Sequence, residues 1–314
     1  MPTVVFHRNF QRFQGGHLKV FHYFQHVRAS GSYDARISFS PDSLWDASNP
    51  WATLRESVIA PGEECYADVL FLAGMDWRWR ESQRREDATV PTLNLIQGFR
   101  HTRADDPTRA FLARPAIRIC IGAEVQDALQ ELGVRGPIFT VPIGIDLEGM
   151  PVARVGEERD IDCVVLAVKD RPLGGRIAER VRARGHRVTL VDRPVPREEL
   201  LALMARARVA VHLPVVIEGA YIPALESMAV GAVVVCPDCI GNRSFCRDGE
   251  TCIVPERSDR AIARATLAAL AAPADELEPL LAGAREELSR RDLASERAGF
   301  LEILGRAHEL WAAI

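Results

Sequence analysis

The run from Val209 to Val235 restricts this chain more than any other stretch. An apolar segment, Val209-Ala-Val-His-Leu-Pro-Val-Val-Ile217, leads into Glu218-Gly-Ala-Tyr-Ile-Pro-Ala-Leu-Glu226; Ser-Met-Ala-Val-Gly231 and a second apolar run, Ala232 to Val235, follow. The order reads as strand, glycine turn, short helix, glycine stop, strand. Pro223 suits a first helical turn, where its missing N–H is not needed, and Gly231 suits the helix end. Glu218 then lies on the loop entering a helix N-terminus and Glu226 lies inside the helix. The amides of Gly219, Ala220 and Tyr221 are expected to point at an approaching anion, with the helix dipole behind them.

Two carboxylates beside an anion site would repel a bare phosphate unless they face hydroxyl groups on either side of it. A sugar nucleotide offers vicinal hydroxyls at both ends of a diphosphate, and a carboxylate accepts two such hydrogen bonds at good geometry. A buried helix that happens to carry two acids is the plain alternative. The strand, glycine, proline, helix, glycine, strand frame favours a site.

Glu218 to Glu226 resembles the Glu-x7-Glu motif of retaining glycosyltransferases of the GT-B fold, in particular glycosyltransferase family four, also called glycosyltransferase group 1. The similarity continues through Ala229-Val-Gly231, the loop Gly241-Asn-Arg-Ser-Phe-Cys-Arg-Asp-Gly-Glu250 and Ile253-Val-Pro255. It covers roughly residues 205 to 265 in detail and is topological elsewhere. The fold it implies is α/β, with two Rossmann-like domains whose parallel sheets face each other across a cleft.

The 314 residues suffice for two domains with sizeable cores, and 47% hydrophobic with 26% charged residues is ordinary globular composition. A net charge of -4 argues against a nucleic-acid partner. Met1-Pro-Thr-Val-Val-Phe-His-Arg8 lacks the basic start and apolar core of a signal peptide, and no apolar run nears membrane-spanning length. A cytoplasmic protein is expected. Among the seven cysteines, Cys65, Cys120 and Cys163 read as reduced core residues. Cys236, Cys239, Cys246 and Cys252 contain one pair at zinc-knuckle spacing where a zinc site needs two, so no metal is expected there.

Residues 3 to 7 read as a first strand, followed by a loop ending in Gly15-Gly-His-Leu-Lys19 and a helix. The helix sets Leu18, Phe21 and Phe24 on one side and Lys19, His22 and His26 on another, with His22 and His26 read as a solvated face. The glycine corner is anion-ready, but Gly-x-Gly-x-x-Gly is absent, which counts against a dehydrogenase. In the resembled family a Gly-Gly loop here faces the cleft, so Gly15 and Gly16, with His17 beside them, become candidate donor contacts. Further strands are expected at 35–39, 67–72, 92–96, 117–121 and 138–141, with a helix at 123–132. Short strands alternating with helical segments imply a parallel sheet covered on both faces. Gln97-Gly-Phe-Arg-His101 follows the fourth strand, at the end where such sheets carry ligands. The resemblance makes His101 a candidate near the transferred sugar, with Gln97 beside it; a structural loop is the alternative. Trp77-Arg-Trp-Arg80, with Arg84 and Arg85 behind, reads as arginines stacked on tryptophans in a partly exposed loop. Peripheral contact with the inner face of a membrane, where a lipid-linked acceptor would wait, is the alternative.

Val141-Pro-Ile-Gly-Ile-Asp146 resembles the run that leads out of the family's first domain, with Ile143 in place of the usual asparagine. The expected division is an acceptor-side domain at 1–147, a linker at 148–160, a nucleotide-sugar domain at 161–293, and a C-terminal helix at 294–314 packing back on the first domain. The second domain opens with the strand 163–168 and Lys169-Asp-Arg171. Family members place two cations here on the diphosphate; Lys169 stands where an arginine is usual, and Arg171 or Arg176 is the second. Asp160-Ile-Asp162 precedes a strand and carries no metal in this reading. Arg243 and Arg247 lie on the loop after the motif, as nucleotide or acceptor contacts or as surface arginines. Residues 294 to 313 form an amphipathic end helix with Phe300, Ile303, Leu304, Ala307, Leu310 and Trp311 on one stripe.

The resemblance implies a retaining, metal-independent transfer of sugar from a nucleotide sugar donor to a hydroxyl-bearing acceptor, without a cofactor. Glu226 would take the ribose hydroxyls, Gly219 to Ile222 with Lys169 and Arg171 the diphosphate, and Glu218 the sugar hydroxyls. Two other classes stay open: a non-catalytic nucleotide-sugar-binding subunit, and a GT-B-type epimerase or phosphorylase.

Overall fold

The structure is a computed structural model that describes residues 1–63, 66–82, 89–151 and 159–314. Cys65, Arg84, Arg85 and most of the expected linker, residues 152–158, lie outside the described residues. The chain divides into two compact units, one of Met1–Ile143 with Ala294–Ile314, the other of Gly144–Leu293.

Among the described residues the first unit holds six strands: β1 (Thr3–Arg8), β2 (Asp34–Phe39), β3 (Val69–Ala73), β4 (Thr92–Ile96), β5 (Ile117–Cys120) and β6 (Ile138–Thr140). All are parallel, in the order β2-β1-β3-β4-β5-β6. Valine, isoleucine, leucine and phenylalanine fill β1, β3, β4 and β5 because both faces of a parallel sheet are covered. The helices are α1 (Gly15–Ala29), α2 (Trp77–Ser82) and α3 (Ala123–Gln130). The order reverses between β1 and β3, and such a switch point opens a crevice beyond the strand ends.

Four expectations in this unit change. The helix begins at Gly15 itself, so the glycine pair forms its first turn and not the loop before it. His26, read as solvated, is buried beside the buried Lys19, because Glu296 from the chain's last segment lies against both: its oxygens accept from Lys19 Nζ at 2.8 and 2.9 Å, and His26 Nε2 lies 3.0 Å away. A helix face looks polar in sequence when its partner is 277 residues away. Trp77 is also buried, inside α2 rather than in a loop, and stacks on Phe111. The end segment is two helices, α9 and α10 in chain order (Leu293–Gly305 and Ala307–Ala312), broken at Arg306. Phe300 meets Tyr23 and Phe71 edge to face, and Ile303, Leu304 and Ala307 are buried.

The second unit holds β7 (Ile161–Leu166), β8 (Val188–Val191), β9 (Ala207–His212) and β10 (Val233–Val235), parallel in the order β10-β9-β7-β8. Its helices are α4 (Arg171–Arg182), α5 (Arg197–Arg206), α6 (Ile222–Ala229), α7 (Asp259–Ala271) and α8 (Ala274–Ser289). Its core gathers Val165, Ile177, Val209, Val211, Val235 and Ile262 between strands and helices. Here the switch point lies between β7 and β9. The apolar segment before Glu218 is strand only as far as His212; Val215, Val216 and Ile217 are 46%, 52% and 58% exposed, so they are loop surface, not core. Among the described residues no helix is long and apolar enough to cross a membrane.

Candidate functional site

The two chain segments leaving β7 and β9 meet beyond the strand ends, at the switch point of the second unit. From β7, Ala167 bonds to Val191 and the turn delivers Lys169, after which Asp170 caps α4 by accepting from the Leu173 amide at 3.1 Å. A Cβ on Gly174 would lie 2.1 Å from the Ala167 Cβ, so only glycine lets the start of α4 press against the strand end. From β9, the Leu213 amide bonds to Leu166 and the chain turns through Val215 to Glu218. Lys169 Nζ pairs with Glu218 Oε1, across the crevice where open α/β sheets take ligands. The Val215 amide donates to the same oxygen at 3.2 Å, and Lys169 Nζ lies 5.3 Å from the centre of the Tyr221 ring. The sequence assigned Lys169 and Glu218 to different halves of a donor; the structure joins them.

The glycine turn that follows is shaped by a second loop. A Cβ on Gly241 would come within 2.2 Å of the carbonyl oxygens of both Glu218 and Gly219, so the two loops touch backbone to backbone. Beside it the buried Asn242 accepts the Tyr221 amide at 2.9 Å. That corrects one expectation: Tyr221 N–H is committed inside the protein and does not face an anion. Among the described residues no protein acceptor takes the amides of Gly219, Ala220 or Ile222, the last being the first residue of α6. These amides and the N-terminal end of α6 lie on the loop that carries Glu218, the partner of Lys169.

Glu226 lies one turn into α6 and is 4% exposed. Arg197, from the first turn of α5, donates through Nε to Glu226 Oε1 at 2.8 Å, and no protein donor among the described residues takes Oε2. Burial pushes the Glu226 carboxyl up from its ordinary value, and Arg197 opposes that by favouring the charged form. Beneath, His212 at the end of β9 is fully buried, with Nε2 2.9 Å from Ser227 Oγ and its ring edge-on to Tyr221. Burial lowers its pKa to about 3, so the ring is neutral. Arg197, Asn242 and His212 went unassigned in the sequence. Asn242 stood in a loop already marked by resemblance, but the other two carry no local signal.

In the first unit the structure brings Gly15, Gly16 and His17 to the switch point between β1 and β3. Gln97, just beyond β4, donates to the Gly16 carbonyl at 3.2 Å. Arg8, at the end of β1, donates to Asp76 at 2.9 Å and to His17 Nδ1 at 3.2 Å. Burial raises the Asp76 carboxyl to about 6 against the pull of Arg8. His101 lies in a 3-10 turn, Phe99–Thr102, and is 4% exposed; burial first, then the charge of Arg118, lower its pKa to about 4.

The remaining arginines are engaged or peripheral. Arg171 and Arg176 are exposed on α4. Arg243 pairs with Asp238, and Arg247 with Glu250 and Glu287. Asp160 and Asp162 pair with Arg206 and Arg187. The Cys246 thiol is pushed well above its ordinary range by hydrogen bonds to Cys236 and Cys252, then by burial. Among the described residues no group of three or more His, Cys, Asp or Glu could hold a metal ion.

Comparison with known proteins bears on this geometry. Residues 147–272 match the family model described as glycosyl transferases group 1. No curated protein matches the chain. Among solved structures, sucrose-phosphate synthase from Thermosynechococcus elongatus is 16% identical, with 100% of each chain covered and a TM-score of 0.71. Anabaena HepE in complex with UDP and glucose is 12% identical, covering 97% of this chain and 100% of its own, with a TM-score of 0.75. A glycosyltransferase from Rickettsia africae is 9% identical, covering 96% and 97%, with a TM-score of 0.66. At these identities the likeness to solved structures is one of fold. Residues 147–272, all within the second unit, thus resemble the group 1 glycosyl transferases, and the fold of the chain is the GT-B fold of these structures.

Proposed function

We propose that the protein transfers a sugar, with retention and without a metal ion, from a nucleoside diphosphate sugar to a hydroxyl-bearing acceptor. The observation that carries this reading is the switch point of the second unit, where the free amides of Gly219, Ala220 and Ile222 adjoin Lys169 and Glu218. Glu226 takes the ribose hydroxyls on Oε2, the oxygen that Arg197 leaves open. The diphosphate lies on the amides and Lys169, with Arg171 at the rim, and Glu218 takes sugar hydroxyls. The bond from the anomeric carbon to the diphosphate oxygen breaks, and negative charge gathers on the leaving group. Amides and an ammonium already aimed there stabilise that charge more in the transition state than in the ground state. The acceptor oxygen bonds to the anomeric carbon on the face the diphosphate leaves, and the acceptor's proton departs with the diphosphate.

Anabaena HepE has been solved with UDP-glucose, which makes UDP-glucose the first donor to try. Calorimetric titration of a panel of nucleoside diphosphates and their sugars into wild type and Glu226→Ala tests the reading. Micromolar binding of one nucleotide, lost in the variant, is expected. A folded wild type that binds none of them overturns it.

A further inference from the structure

We propose that the Lys169–Glu218 ion pair is a latch that makes the site prefer a nucleoside diphosphate sugar over the free nucleoside diphosphate. The inference rests on the donor reading above and goes further into how that site selects its ligand.

Three observations carry it. The pair spans the gap between the segments leaving β7 and β9, so a ligand entering the crevice meets the two charges bound to each other. Each partner is held in place independently of the other. The Val215 amide donates to the Glu218 oxygen that Lys169 uses, and the Tyr221 ring lies 5.3 Å from the Lys169 ammonium, within cation–π range. Finally, the Glu218 side chain is 14% exposed and that of Lys169 42% exposed, so the acid is nearly enclosed while the lysine keeps access to solvent.

A ligand that separates them must replace what each loses. A diphosphate compensates Lys169 but leaves a nearly enclosed carboxylate beside its own negative charge, with the Val215 amide as its one remaining partner among the described residues. A sugar nucleotide compensates both, since its hydroxyls donate to Glu218 while its phosphates accept from Lys169. After transfer the bound product carries no sugar. Glu218 then recaptures Lys169, and the product loses its cation. One ion pair thus favours donor entry and product exit, because its two halves answer to the two parts of the donor that the reaction separates.

Calorimetry with UDP and UDP-glucose on wild type, Glu218→Gln, Lys169→Met and the double variant tests the latch. Glutamine keeps the shape of the side chain and an oxygen for the Val215 amide while removing the charge, and melting curves confirm that each variant folds. Wild type is expected to bind UDP-glucose more tightly than UDP. Glu218→Gln is expected to bind UDP about two- to fivefold more tightly than wild type, the range of a partly exposed ion pair, and UDP-glucose more weakly, so the preference shrinks or inverts. That gain for UDP disappears when Lys169 is already methionine. If Glu218→Gln changes both ligands by the same factor, or the UDP gain persists without Lys169, the latch is refuted while the donor reading stands. If wild type binds neither ligand, both fall.

Discussion

Replacing Glu296 by glutamine puts a buried ion pair of the first unit at risk. Its carboxylate, 1% exposed, accepts two hydrogen bonds from Lys19, itself 2% exposed, and faces His26 Nε2 at 3.0 Å. Burial lowers the Lys19 pKa and Glu296 raises it, so the ammonium is charged in the core because this carboxylate is there. Glutamine takes away the charge that this carboxylate sets against the ammonium. Removing one partner of a buried pair costs about 3–5 kcal/mol. Against a typical domain stability of about 5–15 kcal/mol this is a large share. Replacing both partners, as Lys19→Met with Glu296→Leu, removes charge and countercharge together and should recover most of the loss, because a buried pair often does no better than apolar groups of its own size. All five tryptophans, Trp45, Trp51, Trp77, Trp79 and Trp311, belong to the first unit, so tryptophan fluorescence in a urea titration reports on that unit selectively. A loss below about 1 kcal/mol in Glu296→Gln, or a double variant no more stable than the single one, would refute the reasoning.

Two further outcomes follow from the same physics. Arg197→Met removes the guanidinium that favours the charged form of the buried Glu226, so nucleotide binding should weaken about tenfold or more at neutral pH. Its loss on acidification should begin at a higher pH than in wild type, with partial recovery in Arg197→Lys; a uniform weakening with an unchanged pH profile would count against this role. Burial, with Arg8 or Arg118 adding to it at His7, His17 and His101, lowers His7 and His212 to about 3 and His17 and His101 to about 4. These rings stay neutral in the native protein and take protons when it unfolds, so their contribution is present above pH 6.5 and is lost as pH falls towards 4. Asp76, raised to about 6, and the raised Glu226 have the opposite sign and are outnumbered by the four histidines. The Tm should therefore be lower at pH 5 than at pH 7.5, and a level or rising Tm on acidification would contradict the assignment.

The sequence alone determined most of the strands and marked the candidate site, for a local reason. Apolar runs such as Val4-Val5-Phe6 and Val164-Val165-Leu166 are strands because both of their faces must be buried, and that requirement is written in the residues themselves. The glycine and proline positions around Glu218 and Glu226 mark a turn and a helix start through backbone sterics, which also act within a few residues. What only the tertiary structure decided was partnership. Nothing near Lys19 in sequence announces a carboxylate at position 296, and nothing near Glu218 announces that Lys169 will reach it. The Tyr221 amide looked free for a ligand until Asn242, brought in by the close approach of Gly241, claimed it. Charges and amides are satisfied by whatever the fold brings within about 3 Å. The order of strands in a sheet sets those distances, and a one-dimensional pattern holds the strands but not their order.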